Sequence, residues 1–314
     1  MPRIARESCS IGNSTENMKK AFTLIELIVV VGIIGILAAA LLVAAGGATE
    51  SARAAKCQAN MRSIAQACYN IAMADEYKRY PHAGSAEYVN VAQVNNRYQK
   101  YYGENRGWIS WLSESYYEGK PTSHRANQYA GCFSDFKDVQ YAYTNGVIWK
   151  VIGANASCYK CPTAVKKLRK NGREMAWSYS MNGAFRYDKS HGSEPTDTVI
   201  SGKTAGSMRR ADRVLLLAEI NLDDIGGGGN GDYTADCVLE YGDGGDANRE
   251  RIGFTHPFKR AMCGHVAFAD GHTERLIMPN RGDLYDLTKW LCEGYDITFA
   301  NGEYTRDERS VDDD

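Results

Sequence analysis

Cysteine and histidine side chains lie close together in two stretches of the chain, where they could bind a metal. Cys158 and Cys161 form a CxxC pair, and Cys263 and His265 form a second, tighter pair. Thiolates and imidazoles are the ligands that Zn²⁺ prefers in proteins. Zinc knuckles usually have wider spacing in the second pair, and the βαβ pattern of a CxxC redox protein is missing. We therefore favour disulfides, with a zinc site and a redox pair as the alternatives.

An acidic, glycine-rich loop at residues 223–245 is a second candidate for ion binding. Asp223, Asp224 and Asp232 supply carboxylate oxygens, which are the ligands that Ca²⁺ prefers. The spacing of an EF-hand is absent, so a solvated loop is our main interpretation and calcium is the alternative.

Sequence patterns for catalysis and for nucleotide binding fail on inspection. Gly202-Lys203-Thr204 resembles the end of a P-loop, but Asp197 occupies the position of the required glycine five residues earlier. The glycine run in the acidic loop is not followed by a helix signal, and no GxSxG occurs. The formal net charge of −1 gives no basic field for nucleic acid. We expect no enzymatic activity, no cofactor and no nucleic-acid partner.

An almost unbroken apolar stretch at residues 22–43 follows Lys19 and Lys20 and contains one acid, Glu26. As a helix it would be about 33 Å long, which is enough to cross a bilayer core of about 30 Å. The basic residues before it favour a cytoplasmic N-terminus. A carboxylate in hydrocarbon is costly unless it finds a partner, so we expect Glu26 to have a specific function.

The sequence KAFTLIEL at residues 20–27 resembles the processing and methylation motif of type IV pilins and type II secretion pseudopilins. The resemblance implies that a prepilin peptidase cuts between Ala21 and Phe22 and that the new Phe22 amine is methylated. Glu26 is then the fifth mature residue, and we expect it to pair with the Phe22 amine of a neighbouring subunit. The family usually has Gly where this chain has Ala21. A generic signal anchor is the alternative interpretation.

Cleavage at this point would remove Cys9 and leave an even number of cysteines, eight, in the mature chain. In an oxidising compartment this number predicts disulfides, although the sequence does not fix their connectivity. Cys57 and Cys68 would lie about 16 Å apart on one helix, too far to pair with each other. The disulfide candidates are Cys132, Cys158, Cys161, Cys237, Cys263 and Cys292.

The helix is predicted to continue beyond the apolar stretch to about Tyr77, because apolar residues recur there at spacings of three and four. This stripe comprises Ala54, Cys57, Met61, Ile64, Ala65, Cys68 and Ile71. Strands are predicted at 177–182 and 213–220, and a hairpin with an Asp-Gly turn at 265–277. Residues 84–150 are predicted to be an insertion of short strands or turns, and 305–314 a frayed tail.

These elements predict an α+β, pilin-like fold. A long N-terminal helix, with a membrane half and an amphipathic half, would pack on an antiparallel β-sheet head. The predicted domains are a leader at 1–21, the long helix at 22–79 and an extracytoplasmic globular head at 80–314.

The C-terminal part extends the resemblance to large pilin-like proteins that carry a processing-associated signature of His, nine residues and Asp-Gly. Asp270, Gly271 and the following His272 match this signature, but Arg260 occupies the position of the His. The upstream candidate is His256. Either four residues have been inserted after His256, or the role of the histidine has moved.

We predict a structural subunit of a type IV pilus-like or type II secretion pseudopilus-like filament. It would cross the inner membrane once and end in the periplasm or at the cell surface. Its partners would be prepilin peptidase, other pilin-like subunits and the membrane. The alternatives are a membrane-tethered binding or display protein that does not polymerise, and a secreted enzyme on a pilin-like anchor. The tethered protein would bind glycans or envelope polymers through exposed aromatic residues between Tyr98 and Tyr117, including Trp108 and Trp111.

Overall fold

The longest element of the protein is a helix near its N-terminus. The computed structural model describes residues 23–76, 78–83, 107–109, 136–167, 175–185, 205, 208, 210–222, 237–239 and 251–307. The chain divides into two compact units, Met1–Ala48 and Thr49–Asp314. Helix α1 comprises Leu24–Ala74, so its residues contribute to both units. The predicted long helix is confirmed over this range.

The two parts of α1 differ in the exposure of their apolar side chains. Large apolar residues from Leu24 to Leu42 are exposed, and α1 is the one helix of the described chain that is long and apolar enough to cross a membrane. From Ala54 onward the predicted stripe is confirmed, because its members are buried except for Ile71, which is partly buried. The exposed part has the composition of a lipid-facing helix, and the buried stripe belongs to the core of the head.

The head contains a six-stranded, mainly antiparallel sheet. Its strands are β1 (Tyr179–Asn182), β2 (Leu215–Glu219), β3 (Val238–Leu239), β4 (His256–Phe258), β5 (Ala261–Phe268) and β6 (Thr273–Ile277). β1 and β2 lie within the strands predicted at 177–182 and 213–220, and both are buried throughout. The pairing of β1 with β3 is parallel, which departs from the predicted antiparallel sheet. All other pairings in the sheet are antiparallel.

Strand β5 is the centre of the sheet because it pairs with three other strands. β4 pairs with its first half, β2 pairs with its second half, and β6 pairs along the opposite edge. The β5–β6 turn contains Asp270 and Gly271, whose φ of +89° favours glycine. The predicted Asp-Gly hairpin is therefore confirmed.

Two predictions for the region 84–150 are wrong in its described part. Helix α2 comprises Phe136–Asn145, where short strands or turns were predicted. This segment lacks Gly and Pro, and its residues Ala142 and Tyr143 are buried, so packing favours a helix. Trp108 is completely buried and donates its indole N–H to the Cys237 carbonyl at 3.1 Å, so it is not a surface aromatic. Trp111 lies outside the described residues.

Further elements complete the head. They are a 3₁₀ turn at Ala156–Tyr159, α3 (Pro162–Lys167), a 3₁₀ turn at Gly183–Phe185, α4 (Leu284–Glu293), β7 (Ile297–Ala300) and β8 (Glu303–Arg306). β7 and β8 form a separate antiparallel pair. The predicted frayed tail is wrong at its start, because Thr305 and Arg306 pair with β7 and the preceding Tyr304 is buried. Residues 308–314 lie outside the described chain.

We predict that Gly264→Ala destabilises the head. A Cβ at Gly264 would lie 2.0 Å from the Gly253 carbonyl oxygen, a backbone atom that cannot move aside easily. We expect the free energy of unfolding of the full chain in detergent to fall by about 2–3 kcal/mol. The control is Gly47→Ala, where a Cβ meets nothing within 4 Å and helix propensity improves by about 1 kcal/mol. Equal stability of Gly264→Ala and the unmodified chain would contradict this close approach.

Candidate functional site

Glu26 lies in the first turn of α1 and binds the N-terminus of its own helix. The Thr23 N–H and hydroxyl donate to Glu26 Oε2 at 2.9 and 2.8 Å. The Glu26 N–H donates back to Thr23 Oγ1 at 3.2 Å. This reciprocal pattern is a capping box, whose sequence signal Thr-x-x-Glu our sequence analysis overlooked. Ala21 and Phe22, the predicted cleavage and methylation residues, lie outside the described chain.

A second group of polar side chains is buried inside the head. Cys57 of α1, Cys161 immediately before α3, Glu219 at the end of β2 and His256 at the start of β4 each contribute one atom, and these atoms all lie within 4.8 Å of one another. We call these four residues the Cys–His–Glu cluster. They come from four separate segments of the chain, so only the folded head brings them together.

Three distances define the cluster. Cys57 Sγ lies 3.2 Å from Glu219 Oε1, and Cys161 Sγ lies 3.3 Å from His256 Nε2. His256 Nε2 lies 3.4 Å from Glu219 Oε1. All four side chains are buried, so the cluster has two thiols, an imidazole and a carboxylate in mutual contact and away from solvent.

Local structure explains the position of each member. Cys57 belongs to the buried stripe of α1, and Glu219 is the last residue of the buried strand β2. His256 pairs with Cys263 at one end of the β4–β5 hairpin. Cys161 precedes the proline that begins α3, and its N–H donates to the Ser178 hydroxyl at 3.0 Å. The cluster therefore forms where the helix, the sheet and the CxxC segment meet.

The Glu219 carboxylate is held by the second histidine of the sheet. The His265 backbone N–H donates to Glu219 Oε1 at 3.0 Å, and His265 Nδ1 lies 2.8 Å from the same oxygen. Burial by itself would raise the pKa of Glu219. Its contacts with His256 and His265 outweigh burial and lower the pKa of the carboxyl to about 2. Glu219 is therefore a carboxylate at neutral pH.

Cys161 and His256 change each other's proton affinity. Burial would raise the pKa of Cys161, but hydrogen bonds from Cys57 and His256 lower it to about 7. Burial would lower the pKa of His256, but Cys161 and Glu219 raise it to about 10. A thiol and an imidazole with these properties suit nucleophilic or metal-binding chemistry. Because the members are buried, the arrangement favours a closed structural site over a site that admits a substrate.

Three further groups contact the cluster from outside. Glu50 Oε1 lies 3.5 Å from His256 Nδ1. The Ala164 N–H donates to Cys161 Sγ at 3.4 Å, and the Tyr179 hydroxyl donates to Cys57 Sγ at 3.4 Å. Each of these groups faces one member of the cluster and fixes its orientation.

The predicted zinc ligands are only partly brought together. Cys161 belongs to the cluster and His265 contacts it through Glu219, whereas Cys158 and Cys263 are not members. Our sequence analysis missed Cys57, which it assigned to the helix stripe, and Glu219. A usable signal for Glu219 was a charged residue at the end of an otherwise apolar, buried strand.

The residues assigned to the His and Asp-Gly signature lie in different parts of the sheet. His256 begins β4 and belongs to the cluster, whereas Asp270 and Gly271 form the turn between β5 and β6, where Asp270 is exposed and Gly271 is buried. The His272 N–H donates to Asp270 Oδ1 at 3.0 Å, and the His272 ring stacks on the Phe268 ring with centroids 4.5 Å apart, so these residues orient the turn. Four inserted residues would lengthen β4 and β5 by two each, which keeps His256 on the same face of the sheet.

The structure does not confirm the predicted disulfides. Cys57, Cys68, Cys158, Cys161 and Cys263 are thiols, and Cys237 and Cys292 are buried. Cys132 lies outside the described residues, as do the calcium candidates Asp223, Asp224 and Asp232.

Comparison with known proteins supports the N-terminal motif. Residues 17–42 match the family model described as the prokaryotic N-terminal methylation motif. This match supports a type IV pilin-like protein that carries a prepilin-type motif, and the apolar helix is compatible with membrane anchoring. No curated protein and no solved structure matches the chain.

We predict that Glu219→Ala strongly destabilises the head. Loss of the carboxylate leaves buried donors on His265 and Cys57 without their acceptor, at an expected cost of about 3–5 kcal/mol in the free energy of unfolding. Glu274→Ala on β6 is the control, because Glu274 is 55% exposed and should change stability by less than about 0.5 kcal/mol. Denaturant titration of both variants checks this difference, and similar midpoints would count against a central role for Glu219.

Proposed function

We propose that the protein is a pilin-like structural subunit that is processed by a prepilin peptidase and assembles into a filament through its N-terminal helix. The observation that carries the proposal is the methylation motif at residues 17–42. It overlaps the stretch of α1 in which the large apolar side chains are exposed. The filament would be of the type IV pilus or type II secretion pseudopilus class.

The properties of α1 support this proposal. A helix satisfies its backbone hydrogen bonds internally, so it can enter lipid and later pack against other helices in a filament core. Its exposed apolar residues have no partners within the described chain that would bury them. Assembly of subunits would remove this apolar surface from water or lipid, while the head of each subunit forms the outer surface.

The hydrogen bonds of Glu26 are compatible with a second role in assembly. Both hydrogen bonds from Thr23 reach Glu26 Oε2. Among the described residues no group donates to Oε1, so this oxygen is available to a cationic group. Cleavage before Phe22 would create such a group, a methylated amine, on a neighbouring subunit. A buried ion pair of this kind forms only when subunits stack in one register.

The capping box also favours a second candidate function. If the Glu26 carboxylate acts only on its own helix, the same chain would be a membrane-tethered display protein that does not polymerise. The filament subunit needs the negative charge of Glu26 for its ion pair. The tethered protein needs only a side-chain oxygen that accepts the hydrogen bonds from Thr23.

We expect the mature protein to begin at Phe22 with a methylated amine. Mass spectrometry of the N-terminal peptide, from cells that contain a prepilin peptidase, measures both the cut and the methyl group. Ala21→Gly should be processed at least as completely, because a small residue precedes the cut, whereas Ala21→Leu should retain the leader. Recovery of the unmodified protein with its leader intact would contradict processing.

We expect Glu26→Gln to prevent filament assembly while Thr23→Ala permits it. Gln keeps the side-chain oxygen that a capping box requires, and Thr23→Ala removes the cap but keeps the charge. Loss of a buried ion pair costs about 3–5 kcal/mol per contact, so association should weaken by more than about a hundredfold. The measurement is the sheared filament fraction beside the membrane fraction. Assembly of Glu26→Gln at the normal level would favour the tethered protein.

A further inference from the structure

The Cys–His–Glu cluster has the spacing of a metal site. A tetrahedral zinc site with bonds of about 2.0–2.3 Å separates neighbouring ligand atoms by about 3.3–3.8 Å. In the cluster the measured distances from sulfur to oxygen, sulfur to nitrogen and nitrogen to oxygen are 3.2, 3.3 and 3.4 Å. In these three pairs the atoms need to move by only a few tenths of an ångström to surround an ion, and all four ligand atoms lie within 4.8 Å of one another.

A buried polar atom at the cluster also lacks a partner. Glu219 Oε2 makes no hydrogen bond within the described chain, although it is inaccessible to solvent. An unsatisfied buried carboxylate oxygen is costly. A cation that took Oε2 as its ligand would satisfy this atom, and a cation bound through either oxygen would neutralise the charge of the carboxylate.

The surroundings of the cluster resemble the outer contacts of metal sites. A histidine that binds a metal through one ring nitrogen usually directs the other toward a carboxylate or carbonyl oxygen. His256 directs Nε2 into the cluster and Nδ1 toward Glu50, at 3.5 Å. The Ala164 N–H bond to Cys161 and the His265 bonds to Glu219 hold two further members in place.

The combination of ligands selects the metal. Two thiolates exclude Ca²⁺ and Mg²⁺, which take oxygen ligands. Thiolate and imidazole ligands in a four-coordinate arrangement favour Zn²⁺, and a site in which the protein supplies all four ligands is structural. The ligands come from α1, from the residue immediately before α3, from β2 and from β4, so a bound ion would fix α1 to the sheet.

We propose that Cys57, Cys161, Glu219 and His256 form a structural zinc site that holds the head on the second half of α1. The ligand atoms are the two Sγ atoms, His256 Nε2 and an oxygen of the Glu219 carboxylate. Glu50 is an outer residue that orients His256. This site is separate from the N-terminal motif and does not depend on filament assembly.

A disulfide between Cys57 and Cys161 is the alternative to zinc binding. The two sulfur atoms lie within 4.8 Å of each other. An oxidising compartment would favour it. It would consume both thiolates, so the disulfide and the zinc site exclude each other. Peptide mapping of the purified full chain without reductant distinguishes them.

The test measures metal on the full chain in detergent, purified without chelator. We expect one zinc ion per chain by elemental mass spectrometry. Replacement by Co²⁺ should give the intense visible bands and the sulfur-to-metal absorption of a tetrahedral thiolate site. We also expect chelation to lower the unfolding temperature and added Zn²⁺ to restore it.

Matched variants on one helix separate ligand loss from loss of a buried sulfur. Cys57→Ala should abolish zinc binding, whereas Cys68→Ala removes a sulfur from the same buried stripe and should keep it. Glu50→Gln should weaken zinc affinity by about 10–100-fold without changing the stoichiometry at saturating zinc.

Two results would overturn the proposal. One is a reduced, unmodified chain that binds neither Zn²⁺ nor Co²⁺, and the other is recovery of a Cys57–Cys161 disulfide from freshly isolated protein. Both are measured on the unmodified chain, so they remain decisive if Cys57→Ala fails to fold. Neither result depends on whether the protein polymerises.

Discussion

Glu219 places a carboxylate where solvent does not reach, and the head is arranged around the groups that contact it. Oε1 receives the His265 N–H and the Cys57 thiol, and it lies beside the His256 ring. These contacts join β2 to β5, α1 and β4. Because a buried charge without partners is very costly, these elements must meet in one register. A shift of β2 by one residue would turn Glu219 to the opposite face and leave the histidines without their acceptor.

Helix α1 is one continuous helix, but its two parts suit different environments: lipid or other helices for the first, and the core of the head for the second. Its internal hydrogen bonds make the backbone indifferent to solvent, so side chains alone decide what each part contacts. The exposed apolar residues from Leu24 to Leu42 suit lipid or other helices, and the stripe from Ala54 onward packs in the head. Cys57 lies in this stripe and is also a member of the cluster. A metal ion at the cluster would therefore stabilise the attachment of the head to the helix.

The two acids of α1, Glu26 and Glu50, illustrate how context sets the role of a carboxylate. Glu26 accepts hydrogen bonds from Thr23 at the start of the helix and stands among apolar side chains. Glu50 accepts a hydrogen bond from the Thr163 hydroxyl, forms an ion pair with Arg53 at 3.1 Å and faces His256. Both occupy the surface of one helix, but among the described residues only Glu50 has partners from distant parts of the sequence. Glu26 therefore acts on its own helix end within the part of the chain that the structure describes.

The sequence by itself determined the elements whose signals are local and repetitive. The apolar stretch with Glu26, the buried stripe of α1, the apolar strand β2 and the Asp-Gly hairpin were all predicted, because each depends on periodicity or turn chemistry within a short window. Tertiary structure alone decided the cluster. Cys57, Cys161, Glu219 and His256 are separated by up to 199 positions, and their contact depends on strand order and on which face of α1 meets the sheet. The CxxC pattern suggested that Cys158 and Cys161 act together, but Cys158 lies in a 3₁₀ turn and Cys161 stands before Pro162, and of the two only Cys161 contacts His256.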